Sequence, residues 1–418
     1  MKKAVRLWYL YDFANSFASI VLIFYYPLML AERGASNVWV GVSASVATVL
    51  LLLILPYLGS YSDRTGKRIF FIKIASVLMV VSLFVLAFLI QSIDIFNVSA
   101  LLGLSFFYIL FQVCFQGSYV FYSAMLRSIT SVDNNAKVSG VGLGLGQLGN
   151  AFALGIIGPI MGSSLVIIGL SGKPLALFLG GVLFALISIP FFKQKDLKND
   201  AEKMGFSYKI FLKTILSEKR IFLFLIGYSL LADSILTFQL YLTLYITKVF
   251  DFSDKLVTYA GMTGLIFTVV GGFMANRLVY KLKDKEKALG VSSVFYAFCF
   301  GIIALIPQIP SFVFVVLALS GIAYGLLFSL ARAVYSEISP ENRQGEFFSL
   351  FTIFERAASV LGPLVWLFTF YLLKNFGENI QYRGSILLLM LICLGGFYYL
   401  VKSSRIIKPS FTSIVSAK

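Results

Sequence analysis

The clearest charged side chains inside long apolar stretches of this sequence are Asp12, Asp233, Glu355 and Arg356. An ionised group in such an apolar setting is costly, which makes these residues functional candidates. An arginine there can hold the carboxylate of a solute and an acid can hold an ammonium group, so together they suit a zwitterion. The chain has no histidine, and any proton coupling therefore has to use carboxylates, whose protonated form burial favours. Asp233 is the first candidate for that role and Glu355 is the second.

Polar residues accompany these charges at the spacing of a helical face. The four stripes are Asp12, Asn15, Ser16 and Ser19; Gln112, Gln116, Tyr119 and Ser123; Ser229, Asp233, Thr237 and Tyr241; and Thr352, Arg356 and Ser359. Such faces either surround water and solute or hydrogen-bond to one another between helices. Both alternatives stay open for Ser and Thr, whereas the four charges favour a solute or ion pathway. The residues assigned to that pathway are Asp12, Asn15, Ser16, Gln112, Gln116, Gln147, Asn150, Asp233, Thr237, Glu355 and Arg356.

The depth of each charge within its apolar stretch separates the candidates. Asp12 lies ~5 residues inside, or about 8 Å at 1.5 Å per residue, so it suits a gate or a helix N-terminus as well as coupling. Asp233 lies ~12 residues inside and the pair Glu355 and Arg356 ~10 residues inside, near the middle of their stretches. The members of that pair either neutralise each other or contact partners on other helices.

Long apolar helices are needed to position these charges. The chain has 418 residues, of which 59% are hydrophobic and 13% charged, and its mean hydropathy is +0.89. A run of ~20 apolar residues can span a bilayer, and about twelve such runs are present. They are residues 7–31, 38–61, 69–91, 98–126, 136–163, 174–192, 221–247, 255–280, 288–307, 311–335, 346–373 and 382–402. Their length predicts an all-α integral membrane protein, since barrel strands alternate over ~10 residues. No cleavable signal peptide is predicted.

The basic residues indicate how the spans are oriented. The net charge is +16, and 28 of the 35 Lys and Arg residues lie in or beside the N-terminus, alternate loops and the C-terminus. Six lie in or beside the opposite loops. The positive-inside rule therefore predicts that both termini are cytoplasmic. The short loops favour a bacterial plasma (inner) membrane, and the expectation for a eukaryotic source is the vacuolar membrane.

The longest polar segment, residues 193–219, divides the spans into six and six. It predicts an N-terminal six-helix bundle (1–192), a basic cytoplasmic linker (193–219) and a C-terminal six-helix bundle (220–418). Three features recur six spans apart: the acids Asp12 and Asp233, the pairs Asp63-Arg64 and Asn276-Arg277, and the pairs Gly158-Pro159 and Gly362-Pro363. Their common register favours an internal duplication. The Gly-Pro pairs are predicted helix breaks, which either flex near the pathway or are simple kinks.

The loop after the second span, GSYSDRTGKR (59–68), concentrates charge between two apolar runs. Its basic residues fit the predicted topology, and Gly66 permits a tight turn. Asp63 lies at the C-terminal end of a helix, where the helix dipole disfavours an anion by roughly 0.3–1 kcal/mol. We therefore expect its carboxylate to have a positive partner elsewhere, either an arginine or the N-terminus of another helix.

This loop closely resembles the signature loop of the major facilitator superfamily, and the twelve spans in two sets of six fit that family throughout. The resemblance implies two pseudo-symmetric six-helix bundles that act as a secondary transporter by alternating access, with no cofactor and no metal. It also implies a conformational latch at Gly59, Asp63, Arg64, Gly66 and Arg68, with a weaker copy at Asn276 and Arg277 because asparagine replaces the acid. The family's arginine in span 4 is absent, since Val113 occupies its place.

A narrower resemblance is to the vacuole-effluxer-like branch, which includes autophagy-related vacuolar amino acid effluxers of fungi and bacterial relatives. It rests on YDFANS (11–16), KVSGVGLGLGQLGNAF (137–152) and RQGEFFSLFTIFERAASVLGPLVW (343–366). Span 7 departs from that branch, because a serine follows Asp233 where the family often has glycine. The resemblance implies transport of amino acids or similar small polar solutes. The alternatives are a carrier of drugs, sugars or nucleosides, and a channel or receptor.

Other classes of function are disfavoured. GLGQLG (144–149) matches a dinucleotide-binding motif but lies inside an apolar span, where its glycines favour close helix packing. An intramembrane aspartyl protease needs Gly-x-Gly-Asp, and residues 230–233 read LLAD. The sequence lacks the histidine that histidine-dependent hydrolases need and the phosphate-binding loop of ATP-driven pumps. No enzyme activity is therefore expected. The three cysteines, Cys114, Cys299 and Cys393, lie in apolar runs and indicate neither a disulfide framework nor a metal site.

The expected partners follow from the same observations. They are the lipid bilayer, a small solute, and protons or another coupling ion, whereas nucleic acid is not expected because the basic residues lie in loops between spans. The protein is expected to act as a monomer.

Overall fold

The structure is a computed structural model that describes residues 2–32, 38–93, 97–196, 217–358 and 361–406. Its long helices are α1 (Lys2–Glu32), α2 (Val38–Thr65), α3 (Arg68–Ser92), α4 (Val98–Ala124), α5 (Asn135–Ile157), α6 (Gly172–Phe192), α7 (Lys219–Phe250), α8 (Asp254–Leu282), α9 (Lys285–Leu305), α10 (Pro310–Ile338), α11 (Gln344–Ala358), α12 (Leu361–Leu372) and α13 (Glu378–Ser404). Within the described residues, twelve helical stretches are long and apolar enough to cross a membrane, and α11 and α12 together form one of them. The predicted all-α membrane fold with twelve spans is confirmed.

Shorter elements connect some of these helices. They are a helical turn at Leu126–Ile129, 3-10 helices at Val132–Asn134, Gly158–Gly162 and Glu341–Arg343, and an antiparallel hairpin of β1 (Val166–Ile167) and β2 (Leu170–Ser171). In the hairpin Val166 pairs with Ser171 and Ile167 with Leu170. Residues 197–216, most of the predicted linker, lie outside the described residues.

The chain forms two compact units. Unit 1 comprises Met1–Thr130, Leu145–Lys203 and Asn342–Ser349, and unit 2 comprises Ser131–Gly144, Met204–Glu341 and Leu350–Lys418. The start of α5 is thus counted in unit 2, and the start of α11 in unit 1. The division into bundles of residues 1–192 and 220–418 stays a prediction.

The same helix pairings recur in the two units. In unit 1, α1 packs against α6, α3 packs against α4 and α6, and α2 packs against α4. In unit 2, α7 packs against α13, α9 packs against α10 and α13, and α8 packs against α10. Each pairing in unit 2 involves the helices six spans after those in unit 1. This repetition agrees with the duplication that the sequence motifs indicate.

The first two spans of each half show the same difference in burial. In the most apolar window of the first and seventh spans 72% of residues are buried, against 28% in the second and eighth. α1 and α7 are therefore central helices of their units, and Asn15, Ser16, Asp233 and Thr237 are among their buried polar residues. The core of unit 1 includes Trp8, whose ring stacks on Tyr122 with centres 4.1 Å apart.

Candidate functional site

The carboxylate of Asp63, at the end of α2, is held from two directions. Arg68 opens α3 and donates from Nη2 to Oδ1 at 2.6 Å. The backbone N–H groups of Gly345 and Glu346 donate to Oδ1 and Oδ2, both at 2.9 Å. Because the first four N–H groups of a helix lack partners within it, Asp63 caps the N-terminus of α11. The carboxylate therefore has both kinds of partner that its sequence position predicts.

Arg68 is fixed in this position by further hydrogen bonds. Its side chain is buried, and Nη1 donates to the carbonyl oxygen of Ala124 at 3.1 Å and to Oγ of Ser128 at 3.0 Å. A buried guanidinium needs such acceptors because it cannot lose its proton. Arg68 thereby ties the loop after α2 to the end of α4, and its role extends beyond membrane topology.

Most of the segment 59–68, predicted as a loop, lies in the last turns of α2, which ends at Thr65. Its other residues shape the crossing of α2 with α11. A Cβ added to Gly345 would lie 2.7 Å from the carbonyl oxygen of Gly59, closer than real Cβ atoms approach an oxygen. Gly66 has a φ of 68°, which ends α2 in a left-handed turn. The guanidinium of Arg64 lies 5.8 Å from the ring centre of Tyr61. The two backbones can cross this closely only because both positions are glycine.

Unit 2 contains an equivalent crossing between α5 and α8. A Cβ added to Gly272 would lie 2.7 Å from the carbonyl oxygen of Gly140. Asn276 and Arg277 follow one turn later on α8, where Arg277 is exposed and Asn276 is half-buried. Among the described residues, the structure shows no hydrogen bond of the Asn276 side chain. The glycine crossing is thus repeated, whereas the carboxylate cap is not.

Asp12 on α1 contacts α4 and α5 within unit 1. The hydroxyl of Tyr122 donates to its Oδ2 at 3.0 Å. A Cβ added to Gly146 would lie 3.2 Å from the Asp12 Cγ, so a small residue leaves room for the carboxylate. Ser16, one turn along α1, donates from Oγ to the carbonyl oxygen of Gly146 at 2.7 Å. Asn15 beside it is buried, with its Oδ1 unbonded in the described part of the chain.

The predicted glutamines and Asn150 form smaller groups. Nε2 of Gln112 donates to the hydroxyl of Tyr108 at 3.0 Å, along the same helix. Nδ2 of Asn150 donates to Oε1 of Gln147 at 3.2 Å, one turn apart on α5. Gln116 is buried on α4. The structure thus brings Asp12 together with Ser16, whereas Gln112, Gln147 and Asn150 bond within their own helices.

Asp233, on α7, accepts a backbone hydrogen bond from α12. Its side chain is buried, and Oδ1 accepts the backbone N–H of Gly362 at 2.8 Å. Gly362 is the second residue of α12, and Pro363 follows in the first turn, where its missing N–H costs no helical bond. Oγ1 of Thr237, one turn along α7, is buried next to Gly362 and has no hydrogen-bond partner among the described residues.

Glu355 and Arg356 lie in the last turn of α11. Nη2 of Arg356 is 3.4 Å from Oε1 of Glu355, a loose ion pair. The hydroxyl of Tyr228 on α7 donates to Oε2 of Glu355. Oγ of Ser229 donates to the carbonyl oxygen of Phe354 at 3.0 Å, which ties α7 to the same turn. The Arg356 side chain is 34% exposed. The ion pair of Glu355 and Arg356 is therefore more open to its surroundings than the buried Asp233.

The first predicted helix break, Gly158-Pro159, lies at the end of a helix. α5 ends at Ile157, and Gly158 and Pro159 begin a 3-10 helix. In the equivalent span, Gly362 and Pro363 lie in the first turn of α12. Residues 359 and 360, with Ser359 of the predicted stripe, lie outside the described residues.

Sequence reasoning missed several residues of these groups. The hydroxyl groups of Tyr122 on α4 and Tyr228 on α7 donate to Asp12 and Glu355 respectively, and neither tyrosine stands out among the 22 in the sequence. Gly345, which meets Gly59 where α2 crosses α11, was missed as well. In the described residues no group of three or more metal-ligating side chains is placed to hold a metal ion.

The chain matches the family model described as Major Facilitator Superfamily over residues 8–363, and again over 263–411. It is similar to "Uncharacterized MFS-type transporter YxiO" of Bacillus subtilis, with 26% identity over 387 residues that cover 87% of each chain. It is also similar to "Autophagy-related protein 22" of Yarrowia lipolytica, with 27% identity over 331 residues. That match covers 68% of this chain and 54% of the relative, so it spans about half of the fungal protein.

Solved structures share the fold at low identity. A bacterial homologue of the iron transporter ferroportin in the outward-facing state has a TM-score of 0.75 at 16% identity, and covers 96% of this chain and 99% of its own. The proton:xylose symporter XylE has a TM-score of 0.68 at 12% identity, with 94% of each chain covered. Twelve membrane-capable helices, the repeated packing and a family model over most of the chain lead to one conclusion. The chain belongs to the major facilitator superfamily, as a transporter that resembles the Autophagy-related protein 22 branch.

Proposed function

We propose that this protein is a secondary active transporter that moves a zwitterionic solute of the amino acid class by alternating access, coupled to protons. Family membership supports the carrier. The finer statements rest on the chemistry of unit 2 and on the sequence motifs shared with vacuolar amino acid effluxers. The proposed setting is the plasma membrane with both termini cytoplasmic, and the proposed acting form is a monomer.

One observation carries the proposal: polar groups collect where α7 meets α11 and α12. Asp233 accepts the Gly362 N–H, and Oγ1 of Thr237 is buried beside it without a hydrogen bond in the described part of the chain. Buried polar atoms nearly always have partners. An unbonded hydroxyl next to a buried acid is therefore a place where a polar solute or a proton carrier gains hydrogen bonds.

The loose pair of Glu355 and Arg356 suits the two charges of an amino acid. The two groups are 3.4 Å apart and the Arg356 side chain is 34% exposed, and a guanidinium binds a carboxylate through two parallel N–H groups. Glu355, oriented by the Tyr228 hydroxyl, can accept an ammonium group. A zwitterion inserted between them would replace one weak ion pair by two stronger ones.

Asp233 is the proposed proton carrier, because protonation would change its hold on α12. A carboxylate at a helix N-terminus is stabilised by the N–H groups and the dipole, and a neutral carboxyl is a weaker acceptor. Proton binding would therefore loosen the Gly362 contact and alter the start of α12. In the same scheme the Asp63 cap of α11 is the proposed latch of one access state.

The proposal is tested with purified protein in proteoliposomes. We expect saturable counterflow of amino acids in the unmodified protein and its loss in Arg356→Gln, because the carboxylate anchor is removed. Asp233→Asn should retain counterflow but lose the stimulation of uptake by a proton gradient. The matched control is Arg405→Gln, since Arg405 is an exposed arginine at the end of α13 and should behave like the parent.

Two outcomes would contradict these assignments. Saturable counterflow of another solute class that is indifferent to Arg356→Gln would disprove the zwitterion site. Full gradient stimulation in Asp233→Asn would disprove the coupling role. Flux that does not saturate and shows no counterflow would indicate a channel rather than a carrier.

A further inference from the structure

The start of α5 belongs to unit 2 and is hydrogen-bonded there to a buried arginine. Arg332 on α10 is 2% exposed. Its Nε donates to Oγ of Ser139 at 3.0 Å, and its Nη2 donates to the carbonyl oxygen of Ser139 at 2.9 Å. One guanidinium thus holds both the side chain and the backbone of a single residue on α5.

Neighbouring bonds follow the same face of α10. Oγ of Ser139 donates to the carbonyl oxygen of Ser329 at 2.7 Å, and Nδ2 of Asn135 donates to the carbonyl oxygen of Ala333 at 3.0 Å. Positions 332 and 333 follow position 329 by three and four residues, so both lie on the same side of α10 as position 329. The first turns of α5 therefore lie along this face and are bonded to it at three successive points.

A second cation reinforces the contact at its edge. Nζ of Lys285, the first residue of α9, donates to the carbonyl oxygen of Val132 at 2.6 Å and to Oε2 of Glu337 at 2.8 Å. Glu337 is thereby engaged by Lys285, while Arg332 binds Ser139. The segment before and within the first turns of α5 is thus held by two cations of unit 2.

In unit 1 the start of the equivalent crossing helix is held by an anion. There the start of α11 is held by the Asp63 carboxylate next to the crossing of Gly59 with Gly345. In unit 2 the crossing of Gly140 with Gly272 is kept, but asparagine stands at the position of the acid. Something else has to hold α5 once that crossing has formed.

We propose that Arg332 is the positioning residue that clasps the start of α5 through Ser139, in place of the acid that the second repeat lacks. A buried guanidinium is costly unless its N–H groups are bonded, so Arg332 favours the arrangement in which Ser139 is within reach. Separation of α5 from α10 would leave that charge without these acceptors. This inference rests on the proposed alternating access, in which the clasp would stabilise one access state.

The test measures the distance between the start of α5 and the start of α9. Spin labels are placed at Asn134 and Lys287, which are both exposed in unit 2, after replacement of the buried cysteines Cys114, Cys299 and Cys393. Pulsed dipolar spectroscopy should give one main distance in the parent. Arg332→Met should add a longer distance, because the start of α5 is no longer held.

Two further variants keep the test decisive. Arg332→Lys retains the positive charge but not the pair of guanidinium N–H groups that bind Ser139. Its distance distribution should therefore lie between those of the parent and Arg332→Met. Arg405→Met removes an exposed arginine and should leave the distance distribution unchanged. If Arg332→Met does not fold, the comparison is made with Arg332→Lys alone.

A distribution that is identical in the parent and in the Arg332 variants would overturn the clasp. This readout does not need substrate, so it is independent of the counterflow assay. Unchanged distances with saturable counterflow would remove the clasp and keep the carrier. A longer distance without any counterflow would keep the clasp and remove the proposed function.

Discussion

At the scale of single residues, the buried charges decide how helix ends are held. Asp63 is 2% exposed and accepts three hydrogen bonds, one from Arg68 and two from the start of α11. Asp233 accepts one from the start of α12. A carboxylate is stable in such places only while it is paired and hydrogen-bonded. The stability of each carboxylate therefore depends on the position of the helix whose backbone N–H groups it accepts.

Removal of the Asp63 carboxylate should destabilise the protein strongly. In Asp63→Ala the buried Arg68 loses its counter-charge and two N–H groups of α11 lose their acceptor. We expect a loss of about 3 kcal/mol in the free energy of unfolding, in the range for a broken buried ion pair. Titration with SDS in mixed micelles measures it. Asp133→Ala is the control, because Asp133 is exposed; equal effects of the two substitutions would contradict the buried cap.

At the scale of helices, two pairs of glycines allow two close crossings. The α2–α11 crossing in unit 1 and the α5–α8 crossing in unit 2 have the same geometry, since an added Cβ would lie 2.7 Å from the opposite carbonyl oxygen in both. A methyl group in such a place forces the helices apart or off their rotamers. The crossings therefore determine how close the starts of α11 and α5 come to the groups that bind them.

Alanine at either crossing should be costly, although alanine is ordinarily the better helix former. Gly345→Ala and Gly272→Ala should each lower the free energy of unfolding by about 1–3 kcal/mol through overpacking. The controls are Gly155→Ala on α5 and Gly261→Ala on α8, where a Cβ meets nothing within 4 Å. Those controls should be neutral or stabilising by up to about 1 kcal/mol. Melting temperatures that rank the four variants in the opposite order would refute the crossings.

At the scale of the whole molecule, duplication and charge are the organising features. The four helix pairings of unit 1 recur six spans later in unit 2, and the burial of the first two spans recurs in the seventh and eighth. The distribution of lysine and arginine is asymmetric between alternate loops, which sets the orientation of a multi-span protein. The loops on the two sides should therefore differ in their accessibility from outside the cell.

Cysteine labelling can test this orientation. With the three buried native cysteines replaced, a cysteine at the exposed Ile168 of the hairpin turn should react with a membrane-impermeant maleimide in intact cells. A cysteine at the exposed Asn134 should react only after permeabilisation. The reverse pattern would show that both termini are outside, against the positive-inside prediction.

Much of the fold could be predicted because hydrophobic length is a local property. About twenty apolar residues in a row are sufficient to indicate a span, and α1 to α10 begin and end close to the predicted boundaries. The Gly-Pro pairs could be recognised for the same reason, because they affect the helix at their own positions. The candidate acids were accessible to prediction for the same reason, since a charge within an apolar run is visible without any partner.

The partners of those charges depend on tertiary structure. The N–H groups of Gly345 and Gly362 belong to the backbone, which every residue shares, so no side chain announces that they receive Asp63 and Asp233. Tyr228 cannot be distinguished from the other tyrosines in the sequence, because its hydrogen bond depends on the packing of α7 against α11.

The sequence by itself determined the number of spans and the duplicated motifs, and it singled out Asp12, Asp233, Glu355 and Arg356 as charges within apolar runs. It also limited any coupling group to a carboxylate, because histidine is absent. It did not single out Arg332, which is buried on α10. Only the tertiary structure decided that Asp63 holds the start of α11 and that Arg332 holds the start of α5. The physical reason is that hydrophobic burial follows from composition along the chain, whereas a hydrogen bond between residues nearly two hundred or more positions apart requires two particular helix surfaces to meet.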